Sequence, residues 1–238
     1  MIHVHSLGRA ARYYSDQTAL ASARERSTFR ELHDRVARIA SALAKHGFKA
    51  GDRLAILLPN EPDYIQLVYA CAWLGVTAVP LNTRLAVKEI EGILTDAQPR
   101  GLVRHSSLPV PTAQVSLQLV LDQEPLDAQS DSIPDPIYEP HAILALIYTS
   151  GTTGRPKGVE IRHANILENV YHTNFWFPLD EGAVHLHARR FFTSRIFRSC
   201  SRRRLSVPAR SLFQSSIRKR SARRFNANAS LTRCWCRQ

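Results

Sequence analysis

No acidic side chain occurs after Glu181 in this 238-residue sequence. Of its 32 Lys and Arg residues, 14 arginines and Lys219 fall between Arg189 and Gln238. That leaves 17 basic against 20 acidic side chains in the first 188 residues, so the formal net charge of +12 describes neither part. Two compositions are joined near Ala188. Long apolar runs are also missing. None reaches 18 residues, so no transmembrane helix is expected. The opening MIHVHSLGRAARYYSDQ lacks the charged start, apolar stretch and small-residue cleavage site of a secretory signal, and a cytoplasmic location is the expectation. Cysteine is scarce. Cys71, Cys200, Cys234 and Cys236 have neither disulfide-framework nor metal-site spacing. His185 and His187 have no third or fourth ligand nearby, so they read as structural and no metal site is assigned. Cys71, among apolar residues, reads as core.

What is present suits a globular core, with an apolar share of 44%. Thr28-Phe-Arg-Glu31 has the form of a capping box. Phe29, Leu32, Val36, Ile39 and Leu43 follow at helical spacing, and Gly47 closes the helix. Arg53–Leu58 is a short apolar run stopped by Pro59, a buried strand. Asn60 is placed to cap a second helix, with Pro62 in its first turn and Gly75 at its end. Val76–Leu81 reads as a strand and Val87–Ala97 as a third helix. Gly101–Arg104 and Gln118–Leu121 are weaker strands. Residues 122–141, rich in Pro, Asp and Ser, read as a surface connection, and Ile143–Tyr148 as a strong buried strand. This alternation predicts an α/β domain with a mainly parallel sheet flanked by helices.

Directly after that strand comes Thr149-Ser-Gly-Thr-Thr-Gly-Arg-Pro-Lys-Gly158. A glycine-rich turn at the carboxyl end of a parallel strand is where α/β folds commonly bind ligands. Gly151, Gly154 and Gly158 let the backbone come close to a ligand. Successive N–H groups form an anion-binding concavity. Thr149, Ser150, Thr152 and Thr153 add hydroxyl donors, and Lys157 adds a positive charge. Together they suit nucleotide phosphates. The string is not a Walker A loop. A generic Gly/Ser/Thr stretch is more often a flexible polar loop, but the whole string narrows the choice.

YTSGTTGRPKGV resembles the phosphate-loop signature of the adenylate-forming (AMP-binding) superfamily, in particular the acyl-CoA synthetases or fatty-acid–CoA ligases. TFRELHDRVARIASAL, GDRLAILLPN, AWLGVTAVPLNTRL and the run from Gly158 to His163 and Asn165 resemble further stretches of that family. The likeness covers about residues 10–188, with Glu160 standing where an apolar residue is common. The resemblance implies the N-terminal part of the adenylate-forming fold. It also implies an acid–thiol ligase reaction using ATP, Mg²⁺ and coenzyme A on a carboxylic, by analogy fatty, acid. Carried over by position, Thr149, Ser150, Gly151, Thr152, Thr153, Gly154 and Lys157 would hold the β- and γ-phosphates.

After Ala188 the family's aromatic-His, Y-G-x-T-E, ribose-aspartate, hinge and catalytic-lysine elements are not found. Residues 1–188 are therefore expected to be a truncated AMP-binding domain, inactive alone. Residues 189–238 are expected to be a disordered Arg-rich tail. One reading of the tail is a surface for nucleic acid or another anionic partner. No recognition motif accompanies it, so no specific nucleic-acid partner is expected. The other is a changed reading frame. Codons chosen for RRFFTSRIFRS give PIFHIADFPF in the neighbouring frame, which resembles the missing aromatic-His segment. Codon choice is free at most positions, but Cys234–Trp235 must give Leu and Trp235–Cys236 must give Val. The same account covers Cys234-x-Cys236. With one sheet edge and an apolar face expected to stay uncovered, the chain is expected to aggregate.

Overall fold

Thr28 and Glu31 exchange hydrogen bonds at the start of the longest helix. The Glu31 backbone N–H donates to Thr28 Oγ1 at 3.2 Å, and the Thr28 N–H donates to Glu31 Oε2 at 2.8 Å. The expected capping box is thus closed in the computed structural model. The structure describes residues 3–109, 111–112, 115–127, 133–137, 139–149, 156–176, 185–186 and 205–206.

Ten strands and five helices are found among these residues. Helix α1 is His3–Tyr13. A short hairpin of β1 (Thr18–Ala21) and β2 (Arg26–Thr28) leads into α2 (Phe29–Lys45). Then follow β3 (Arg53–Leu57), α3 (Pro62–Leu74), β4 (Thr77–Pro80), α4 (Val87–Ala97), β5 (Gly101–Arg104) and β6 (Leu117–Val120). β7 (Ile143–Thr149), β8 (Lys157–Arg162), α5 (His163–Trp176), β9 (His185–Leu186) and β10 (Leu205–Ser206) complete the order.

The main sheet runs β6-β5-β3-β4-β7-β8. Its first five strands pair in parallel, and β8 pairs antiparallel with β7. Alternate residues of β3 divide between two cores, as strand pleating requires. Leu54 and Ile56 face α2 and α3, while Ala55 and Leu57 join Ile90, Ile93, Leu94 and Ala97 of α4. The stripe read on α2 is buried as anticipated: Phe29, Leu32, Val36, Ile39 and Leu43 all lie in the larger core. The α/β class, the parallel sheet and its flanking helices agree with the sequence pattern.

One cap differs from expectation. The residue capping α3 is Glu61, not Asn60, and its side chain makes no cap hydrogen bond. Pro62 is the cause. Crowding by a proline ring drives the preceding residue to extended backbone, and Glu61 sits at φ −127°, ψ 164°. At the other end Gly75 closes the helix at φ 66°, a left-handed conformation that suits glycine.

A second sheet runs β2-β1-β10-β9. β10 comes from the basic tail and pairs in parallel with β1, Leu20 opposite Leu205. The expectation of a disordered tail otherwise falls outside the described residues. The edge strands of the described main sheet are β6 and β8, and on β8 Lys157, Gly158, Val159 and Glu160 are all exposed.

Candidate functional site

β7 is apolar over Ile143–Ile147, and Leu144–Ile147 are buried. At its carboxyl end burial stops and hydroxyl side chains begin. The chain returns as β8, with Tyr148 opposite Gly158 and Thr149 opposite Lys157. The glycine-rich segment therefore bridges two antiparallel strands. Its two described ends, Thr149 and Lys157, come together as a closing pair, both exposed. Ser150, Gly151, Thr152, Thr153 and Gly154 lie outside the described residues. Among the described residues Lys157 has no carboxylate partner, which leaves its ammonium available to an anion.

Tyr148 and Asp96, to which sequence reasoning gave no site role, brace this mouth. Gly158 faces the Tyr148 ring so closely that a Cβ there would lie 3.1 Å from Tyr148 Cζ. The Tyr148 hydroxyl donates to Asp96 Oδ2 near the end of α4. Burial first, then that hydrogen bond and the Asp96 charge, push the Tyr148 hydroxyl well above the usual tyrosine range, so it stays protonated. Asp96 precedes Tyr148 by 52 positions, and no local pattern connects them.

The segment after the hairpin is ordered by its own polar groups. The Arg162 N–H donates to Asn165 Oδ1 at 2.9 Å. His163 opens α5 and is only 3% exposed, and its Nδ1 has no hydrogen-bond partner among the described residues. Burial pushes its pKa down to about 4, so the ring is neutral at pH 7. Glu160, unusual for the resemblance, is accounted for by exposure. It lies on the edge strand and pairs with Arg162 at 3.2 Å.

A separate cavity of about 210 Å³ lies beyond the carboxyl ends of β3, β5 and β6, lined in part by Pro59, Tyr64, His105 and Asp122. Among its lining residues Arg24 pairs with Glu61 at 3.0 Å, and the His105 ring lies 3.9 Å from Asp122. Among the described residues no cluster of three or more His, Cys, Asp or Glu could hold a metal ion, and no helix is long and apolar enough to cross a membrane. Cys71 is fully buried in the main core. Cys200, Cys234, Cys236 and His187 lie outside the described residues.

The fold and the ladder define an α/β domain with a mainly parallel sheet, in which a glycine-rich segment joins β7 to the antiparallel β8. The family model for AMP-binding enzymes matches residues 7–194, and the chain belongs to that family. A feruloyl-CoA synthase from an Amycolatopsis species is 38% identical over 164 residues, which is 68% of this chain and 33% of that protein. This chain thus spans about a third of the length of the first curated relatives it matches.

Among solved structures, o-succinylbenzoate CoA synthetase (MenE) from Bacillus subtilis in complex with its acyl-adenylate intermediate superposes with a TM-score of 0.80. It is 29% identical, over 90% of this chain and 59% of that one. The same Bacillus enzyme in complex with ATP and magnesium ion superposes at 0.77, with 28% identity over 90% of this chain and 47% of that one.

Proposed function

We propose that this chain carries the phosphate-gripping part of an ATP-dependent acyl-activating enzyme of the acyl-CoA synthetase type. The observation that supports it most directly is the closing pair Thr149–Lys157, which frames a Gly/Ser/Thr turn in a member of the AMP-binding family. In this reading Thr149, Ser150, Thr152 and Thr153 donate to phosphate oxygens. Gly151 and Gly154 let backbone N–H groups approach, and Lys157 offsets the β- and γ-phosphate charge.

A carboxylate oxygen of the acid forms a bond to the α-phosphorus. The bond from that phosphorus to the bridging oxygen breaks, and pyrophosphate leaves with the electron pair. A thiol, that of coenzyme A, then attacks the acyl carbon and AMP departs. Hydroxyls and one ammonium fit a phosphate better than a bare metal. Mg²⁺ bound with the nucleotide would neutralise phosphate charge, and the hydroxyls of Thr149, Ser150, Thr152 and Thr153 would be the oxygen donors this chain offers it. The names of the relatives point to a carboxylic acid as acyl donor. The chain by itself is proposed to bind phosphate without completing turnover, and its basic tail is attributed to a change of reading frame near codon 188.

Binding of Mg·ATP to the 238-residue chain tests the site. Loss of one charge-assisted contact in Lys157→Ala is expected to weaken binding by roughly 10–100-fold. Binding equally tight in that variant overturns the assignment. Acyl-CoA made by the purified chain from ATP, a fatty acid and coenzyme A overturns the incomplete-turnover part. DNA sequence from codon 180 past the stop checks the frame: the neighbouring frame should stay open into the family's later motifs.

A further inference from the structure

We propose that Tyr148 and Asp96 form a positioning device that sets the mouth of the β7–β8 hairpin; its relevance to ligand rests on the phosphate-binding reading above.

The need for such a device follows from how β7 and β8 are held. The parallel pairing of β7 with β4 is registered at Ala78–Ala145, and Thr77 Oγ1 adds a bond to the Ile143 carbonyl at 3.0 Å. Both contacts lie toward the start of β7. Tyr148 and Thr149 extend past them, so the neighbouring parallel strand does not fix the end that carries the turn. β8 is anchored only at its far end, where Ile161 packs on the core and Arg162 donates to the His141 carbonyl at 3.1 Å. It is an edge strand, and Lys157 through Glu160 are exposed, so burial does little to hold the end beside the mouth. The ladder ties β8 to β7, but the buried residues of β7 stop at Ile147, short of the mouth.

Tyr148 supplies the missing tie. Its ring lies against Gly158, where an added Cβ would sit 3.1 Å from Cζ and 3.2 Å from Oη. Its hydroxyl reaches across to Asp96. Asp96 sits on a helix that is itself anchored: Ile90, Ile93, Leu94 and Ala97 of α4 pack against Leu57, Val79, Leu81 and Leu102 of the sheet. Arg53, at the opposite end of β3, donates to the Ala97 carbonyl at 2.6 Å and ties the end of α4 to the sheet. The chain of contacts thus runs from the sheet through α4, Asp96 and the Tyr148 ring to Gly158 and the adjacent Lys157. A hydrogen bond to a carboxylate suits this role, being stronger and more directional than one between neutral groups. Glycine at 158 lets the ring lie this close; an added Cβ would press on it by a few tenths of an ångström.

The experiment uses the full chain. Amide hydrogen exchange is followed at Thr149, Lys157, Gly158 and Val159, alongside global melting and binding of magnesium pyrophosphate. Tyr148→Phe keeps the ring and removes the donor. It is expected to speed exchange at these amides roughly tenfold, as for a local opening that loses one hydrogen bond to a charged acceptor, while exchange in α2 and α3 holds. Asp96→Ala should match it. Asp96→Asn, which keeps an acceptor oxygen, should recover most of the protection. Unchanged exchange at the hairpin mouth in Tyr148→Phe overturns the proposal. So does faster exchange spread evenly over all elements with a lowered melting point, which marks a merely structural role. Pyrophosphate binding is read separately. Hairpin protection that depends on Tyr148 in a chain that binds no pyrophosphate supports the positioning device and overturns the phosphate reading. Binding weakened severalfold in Tyr148→Phe and recovered in Asp96→Asn supports both.

Discussion

The Trp73 indole N–H donates to the Pro134 carbonyl at 2.7 Å, and the Ile137 N–H donates back to the Trp73 carbonyl at 2.9 Å. These bonds fasten the described part of a Pro-, Asp- and Ser-rich connection to the end of α3. Trp73→Phe keeps an aromatic ring but leaves the Pro134 carbonyl without its donor. A cost of about 1–2 kcal/mol is expected. Urea titration should show a lower midpoint, and limited proteolysis should cut faster between residues 122 and 142. An unchanged midpoint and cutting rate would show that the connection is held by something else.

Gly101 begins β5, between β3 and β6. A Cβ there would lie 2.8 Å from Phe48 Cζ and 3.3 Å from the Leu117 carbonyl oxygen. Gly101→Ala is therefore expected to destabilise by about 1–3 kcal/mol through overpacking. Adding Phe48→Leu should recover part of the loss, because the clash is with that ring; additive costs in the double variant would contradict the geometry.

His163 gives the fold a dependence on pH. Its folded pKa, pushed down by burial to about 4, is below the ordinary value of 6.5. As pH falls from 6.5 toward 4, the unfolded chain takes up a proton that the folded ring refuses, so this contribution to stability is lost across that window. Below about 4 both states are protonated and the residue adds no further loss. Chemical denaturation of His163→Phe between pH 4 and 7 should show a shallower decline than the parent chain. Parallel declines would mean that His163 titrates normally in the fold.

Cys71 is buried in α3, and burial pushes its thiol up to about 12. A thiolate is the reactive form, so Cys71 should resist iodoacetamide at pH 8 in the native chain and react once urea unfolds it. Peptide mass mapping distinguishes it from the other three cysteines. Rapid native labelling at Cys71 would mean that the core opens readily.

Elements governed by near neighbours were legible. The capping box at Thr28, the glycine stop at Gly75 and both bounds of α4 followed from side chains within a few positions. The cap of α3 went to Glu61 because a proline clash outweighed the polar preference of Asn60. α1 was not read: His3–Tyr13 contains Gly8, has no acidic residue in its first turn, and docks on the core through Leu7 and the half-buried Ala10. β1 and β2 are four and three residues long, too short for periodicity to register.

The glycine-rich motif was also local. Its length in consecutive residues pointed to the AMP-binding family before any fold was known. Which strands flank it, and what holds them, was not written locally. That β8 turns back antiparallel to β7 depends on the ladder between them. That Tyr148 meets Asp96 depends on α4 packing against the sheet, and that Trp73 reaches Pro134 depends on the end of α3. Caps and turns involve residues a few positions apart, whose encounter the chain enforces. Contacts between residues more than 50 positions apart exist only once burial of both faces of the sheet has brought their elements together.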